Sequence, residues 1–246
     1  MKSKNSIYTS VIIASLALGT AAQAETLALW DFSSDLTATS EATYINASSA
    51  STGTFNGTTG AYGRSSANGG SLFSRLKETS GDGSDTVIFA SEANAITTNS
   101  YFEFTLTPDG ESIDITSFDA DIFAQTLAGS AQAEYTVNYL LRSSEDAYTS
   151  NLLTASHTAS ATTGSGDTTT ATDFSGALVG FNNISSAVTF RIYAYAITDT
   201  KTANQTLRID NVSFSGTSIP EPSQAAMLVG GLALAVVGLG RRNKRA

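Results

Sequence analysis

Tyr101-Phe102-Glu103-Phe104-Thr105-Leu106-Thr107 alternates apolar and polar residues with a period of two. It therefore reads as a half-buried strand with Phe102, Phe104 and Leu106 on its inner face. The same pattern recurs along the chain. Tyr135, Val137, Tyr139 and Leu141 alternate, as do Val188, Phe190, Ile192 and Ala194, with Thr189, Arg191, Tyr193 and Tyr195 on the opposite face. Leu27–Phe32 is apolar on both faces and predicts a central strand. Ile113–Phe123 predicts a long strand, and Leu72–Leu76, Val87–Ala90 and Asn151–Ser156 predict shorter ones. Glu41–Gly70 and Ala159–Thr170 are rich in Ser, Thr, Gly and Asn and read as loops, the first with one or two weak strands. Pro108-Asp109-Gly110 is a turn in which proline presets φ and glycine takes a positive φ.

Thr206–Phe214 breaks the alternation in an informative way. Leu207 and Ile209 share one parity, and Val212 and Phe214 share the other. One extra residue at Asp210-Asn211, a β-bulge, would bring all four to one face. Eight to eleven short strands, almost no helix and regular turn signals predict an all-β sandwich.

The two ends follow different rules. Lys2 and Lys4, the apolar stretch Val11–Leu18 and the small residues Ala22 and Ala24 form a signal peptide with cleavage after Ala24. At the other end, Pro220, Glu221 and Pro222 precede an uncharged run, Ala225–Gly240, and then Arg241, Arg242, Lys244 and Arg245. A helix of that length reaches about 24 Å, short for a bilayer. It has no polar face, unlike a buried core helix, and its basic end fits a stop-transfer signal on the cytoplasmic side. The expected division is a leader over 1–24, an exported β-sandwich over 25–217 and a C-terminal segment with a single transmembrane helix over 218–246.

Charge and composition narrow the function. Between the two terminal segments, seven basic residues face 21 acidic ones, a net charge of −14. That sign excludes nucleic acid and anionic lipid as partners. No cysteine is present, which removes disulfides and thiol chemistry. His157 is the one histidine, and its polar surroundings predict a solvated loop or strand-edge residue rather than a catalytic base. Zinc needs several His or Cys ligands and finds one. Acidic pairs exist at Asp119 and Asp121, at Asp82 and Asp85, and at Glu145 and Asp146. A glycosidase needs two carboxylates across a cleft, whereas such pairs in an acidic chain usually form a solvated face. No catalytic residue is assigned, and no cofactor is required. Tyr193, Tyr195, Tyr135 and Tyr139 could stack on sugar rings, although aromatics on strands more often pack.

The order Pro-Glu-Pro, apolar helix, basic end resembles the PEP-CTERM sorting signal of bacteria that make extracellular polysaccharide, with Ile219 where valine is commoner. The resemblance covers the last tenth or so of the chain. It implies Sec export, an inner-membrane-anchored intermediate with its C-terminus in the cytoplasm, processing by an exosortase, and release to the cell surface or extracellular matrix. The main region opens on Leu29-Trp30-Asp31-Phe32 and closes on Arg208-Ile209-Asp210-Asn211-Val212-Ser213-Phe214. In this it is similar to the jelly-roll domains of such proteins and to jelly-roll carbohydrate-binding modules, in which first and last strands pair. That second resemblance implies a structural calcium held by Asp210 and, less directly, Asp31. Hydrogen bonding to a turn amide is the alternative role for Asp210. The expected function is that of a non-catalytic surface or matrix protein, with polysaccharide binding as the alternative.

Overall fold

Phe102, Phe104 and Leu106 are fully buried, while Tyr101, Glu103 and Thr105 between them are partly exposed. This is the alternation a pleated strand imposes when one face packs on a core. The computed structural model describes residues 23–53, 62–65, 70–75, 91–126, 135–159, 170–197 and 205–219. In chain order they form β1 (Glu25–Trp30), β2 (Ser40–Glu41), β3 (Ile45–Ala47), β4 (Ser51–Thr52), β5 (Tyr62–Ser65) and β6 (Ser71–Arg75). A short helix α1 (Glu92–Thr97) follows, then β7 (Tyr101–Pro108), β8 (Ser112–Thr126), β9 (Tyr135–Ser143) and β10 (Leu153–Ala159). The series closes with β11 (Thr172–Asp173), β12 (Gly176–Ala177), β13 (Val188–Ile197) and β14 (Gln205–Ile219). The signal peptide, the Val87–Ala90 strand, the Asp82/Asp85 turn, the Pro-Glu-Pro motif and the Ala225–Gly240 segment lie outside the described residues. Among the described residues no helix is long and apolar enough to cross a membrane.

Two antiparallel sheets result. The first runs β11-β8-β14-β1-β2, with β12 also on β8 and the β5–β6 hairpin on β14. The second runs β10-β9-β13-β7-β3, with β4 also on β7. The first and last strands pair, Trp30 opposite Val212 and Ala28 opposite Phe214. Aromatic side chains join the two inner faces. Trp30 meets Phe104 edge-on at 5.0 Å between ring centroids, and Phe190 lies 4.4 Å from Phe214. Each such ring taken from water contributes about 1.5–3 kcal/mol.

The bulge forms where the parity break predicts it. Asp210 stands opposite Asp121 and Ser213 opposite Asp119, so β14 spends one more residue than β8. Asn211 takes the extra place with φ of 49°, and Leu207, Ile209, Val212 and Phe214 are all fully buried. Gly110 has φ of 80° in its turn. A second irregularity lies further along β14, where a Cβ at Gly216 would meet the Asp114 carbonyl oxygen at 2.0 Å. Only glycine admits that approach.

The helix α1 is not apparent in the alternation. Ser91 caps it, its side chain accepting from the Asn94 amide, and Glu92 occupies the first turn. Ala95 is its one buried residue, so the helical apolar period is too short to read. His157 also departs from expectation. It lies on the edge strand β10, as predicted, but only 6% exposed rather than solvated. Its Nδ1 is 2.9 Å from the Thr172 hydroxyl on β11, so it bridges the two sheets at their margin, and burial lowers its pKa. A polar sequence context hid that position, because the neighbouring Ser and Thr face outward while His157 faces in.

Candidate functional site on the outer face of the second sheet

Strand parity sends Tyr101 and Glu103 of β7, Asn138 and Arg142 of β9, and Arg191, Tyr193 and Tyr195 of β13 to the face away from the core. Register then sets neighbours. Arg191 stands opposite Glu103 on one side and Arg142 on the other, Tyr193 opposite Tyr101, and Tyr195 opposite Asn138. Arg191 Nε donates to Glu103 Oε2 at 2.8 Å. Its guanidinium lies 4.1 Å from the Tyr101 ring centroid and 4.0 Å from that of Tyr148, held between the two rings. Each cation–π contact contributes about 0.5–1 kcal/mol where exposed and about 2 kcal/mol where dry. Burial opposes the charge on Arg191, yet Glu103 and the surrounding phenols keep its pKa above the ordinary arginine value. Burial also raises the pKa of Tyr101 and Tyr148, against the pull of Arg191.

Tyr148 reaches this stack from a strained turn. After the single 3₁₀ turn Ser144–Asp146, Ala147 and Tyr148 have φ of 56° and 61°. Left-handed backbone costs an ordinary L-residue about 1–2 kcal/mol. Several bonds hold it. The Tyr148 amide donates to the Ser143 carbonyl at 2.8 Å, and Arg142 Nη1 donates to the Tyr148 carbonyl at 2.8 Å. Arg142 is fixed in turn by Asn151 Oδ1 at 2.6 Å and Glu92 Oε1 at 2.9 Å. Asp146 accepts from the Thr149 and Ser150 amides, closing the loop from the other side. A bulky residue kept in such a conformation by this many partners is the kind of strain that collects at functional sites.

The tyrosines expected as a stacking platform divide. Tyr135 and Tyr139 point into the core. The Tyr135 hydroxyl donates to the Thr206 carbonyl, and the Tyr139 hydroxyl lies 3.0 Å from both the Phe123 and Arg208 carbonyl oxygens. They tie the sheets together and offer no face to a ligand. Tyr193 is on the outer face but only 3% exposed, edge-on to Tyr101 at 5.3 Å, with the Arg142 guanidinium 5.9 Å from its centroid. Its ring is packing, which corrects its assignment as a stacking residue. Tyr195 stays partly exposed. The sequence pattern had placed Arg191 on the same face as Tyr193 and Tyr195. Nothing in it marked Tyr148, whose position depends on a turn and not on a strand period.

The other outer face differs in kind. Asp173, Asp121 and Asp210 stand directly opposite one another across β11, β8 and β14. Burial raises the pKa of Asp210 to about 6, with further pushes from Asp121 and Asp31. Burial, with the charges of Asp173 and Asp121, also raises the pKa of Asp119. Asp31 Oδ1 accepts from the Ser33 amide, the Ser33 hydroxyl and the Thr39 hydroxyl, the last at 2.6 Å. Asp210 Oδ1 accepts from the Asn211 amide at 2.7 Å, and Asn211 Nδ2 donates to Asp121 at 2.8 Å. Among the described residues no group of three or more His, Asp or Glu is disposed to hold a metal ion.

A comparison with protein-family models found no match, and one with curated proteins found none. Solved structures do resemble the chain. The K3 cleaved adhesin domain of Lys-gingipain from Porphyromonas gingivalis is 12% identical, with 77% of this chain and 98% of that one covered and a TM-score of 0.37. A family 28 carbohydrate-binding module specific for non-crystalline cellulose is 9% identical, over 67% and 86%, at a TM-score of 0.37. A family 29 carbohydrate-binding module is 10% identical, over 78% and 89%, at 0.26. At these TM-scores the likenesses decide nothing about a ligand.

Proposed function

We propose that this chain is an exported, non-catalytic β-sandwich protein that binds polysaccharide through the outer face of its second sheet. The supporting observation is the strained, heavily bonded Tyr148, whose partly exposed ring stacks on Arg191 opposite Tyr101. Partly exposed aromatic rings beside fixed hydrogen-bonding groups suit the apolar faces and hydroxyls of sugars. A non-catalytic role fits the placement of the one histidine at a sheet margin on a threonine hydroxyl. It also fits Asp119 and Asp121, which share one strand face instead of facing each other across a cleft. Sorting to the cell surface or matrix rests on the Pro220–Glu221–Pro222 motif, the apolar run and the basic end, with the Sec machinery, the inner membrane and an exosortase as partners.

Two experiments test the two halves. A glycan array and polysaccharide pull-down should show binding that Tyr148→Ala weakens about tenfold, the loss of about 1.4 kcal/mol of stacking. No binding to any glycan by a folded protein removes the first half. Deleting residues 220–246 in a host with an exosortase should abolish cell association. Unchanged association removes the second.

A further inference from the structure

We infer that the polysaccharide taken by this face is uncharged, not a uronate or sulfate polymer; this rests on the polysaccharide-binding reading. Of the arginines in the described strands, Arg64, Arg75 and Arg208 belong to the first sheet and Arg142 and Arg191 to the second. Arg208 is buried on the first sheet, where its guanidinium donates to the Ser71 and Thr206 hydroxyls. The two on the candidate face are already neutralised. Arg191 is paired with Glu103 at 2.8 Å and Arg142 with Glu92 at 2.9 Å. Arg191 and Glu103 are 23% and 25% exposed in their side chains, so the pair reaches the surface as a unit of no net charge.

The adjoining turn adds Glu145 and Asp146, leaving four carboxylates against two guanidiniums around the Tyr148 ring. An anionic polymer would meet a local excess of negative charge and would have to break a carboxylate–guanidinium pair to find a cation. A neutral sugar meets no such penalty. Its hydroxyls can donate to Glu103 and accept from the N–H groups of Arg191 that Glu103 and Tyr193 do not use, while its apolar face lies on Tyr148 or Tyr101. Selectivity comes from a cation that is present but already spent.

Affinity gel electrophoresis of the full-length chain tests this, with a soluble β-glucan and a mannan as neutral probes, and alginate and polygalacturonate as anionic ones. Retardation by at least one neutral polymer and by neither anionic one is expected. Because no ion pair forms with the ligand, raising salt to about 1 M, where the Debye length is about 3 Å, should leave that retardation unchanged. Glu103→Gln releases Arg191 and should create binding to alginate that the unaltered chain lacks. Stronger retardation by alginate or polygalacturonate than by either neutral polymer overturns the inference and leaves the polysaccharide reading standing. So does salt-sensitive binding. Retardation by none of the four, with circular dichroism showing a folded chain, overturns both together.

Discussion

The two outer faces of this sandwich carry charge in opposite ways. On the second sheet each guanidinium has its carboxylate, Arg191 with Glu103 and Arg142 with Glu92, and aromatic rings enclose the pairs. On the first sheet Asp173, Asp121 and Asp210 face one another in register, and the amide of Asn211 supplies the bond to Asp121. Paired charges cost little to hold at a surface and can fix a side chain in place. Like charges directly opposite one another destabilise a sheet. The first arrangement is built to hold a shape, and the second gives up stability at neutral pH.

Breaking the paired face should have the largest effect. Arg142→Ala removes the bonds to the Tyr148 carbonyl, Asn151 and Glu92 at once. A loss of about 2–3 kcal/mol is expected in denaturant unfolding, with glycan binding lost as Tyr148 leaves its strained turn. Retained binding would mean that Tyr148 holds its place without Arg142. Tyr148→Ala is the milder cut. Its stability should change by less than about 1 kcal/mol, because its partly exposed ring leaves little cavity behind, while binding falls about tenfold.

On the acidic face the expected change has the other sign. The folded-state pKa of Asp210, about 6, lies above the ordinary value of 3.8, so the folded chain holds this proton more tightly than the unfolded one. The contribution of Asp210 to stability should therefore be full below about pH 4, fall as pH rises toward 6, and level off above it. Asp210→Asn should flatten that slope and raise the melting temperature at pH 7. A melting temperature that instead rises steadily from pH 4 to 6 would show other groups in control. The smallest effect expected is that of calcium. Asp31, Asp121 and Asp210 already accept hydrogen bonds from the chain itself, so millimolar calcium and chelator should give the same melting temperature. A calcium-dependent rise abolished by Asp210→Ala would establish an ion there, and the gain would grow above pH 6 as Asp210 ionises.

What the amino-acid order determined by itself was parity. Period-two alternation is local, so Phe102, Phe104 and Leu106 are identifiable as core without knowing what lies across from them. The phase break between Ile209 and Val212 located the bulge for the same reason, since four apolar side chains cannot reach one core without an extra residue. The export and sorting readings of the two ends, one from composition and one from a resemblance, fall on residues outside those described. Tertiary structure decided the rest. Tyr139 and Tyr193 are both tyrosines on strand faces, yet one spans the core and the other is covered by Tyr101 and Arg142. His157 is buried because β11, fifteen residues further on, brings Thr172 to its ring. Tyr148 meets Arg191 only because a left-handed turn and a guanidinium from β9 aim it there. Such contacts join residues far apart in the chain, and no local period records which distant side chain will cover a given face.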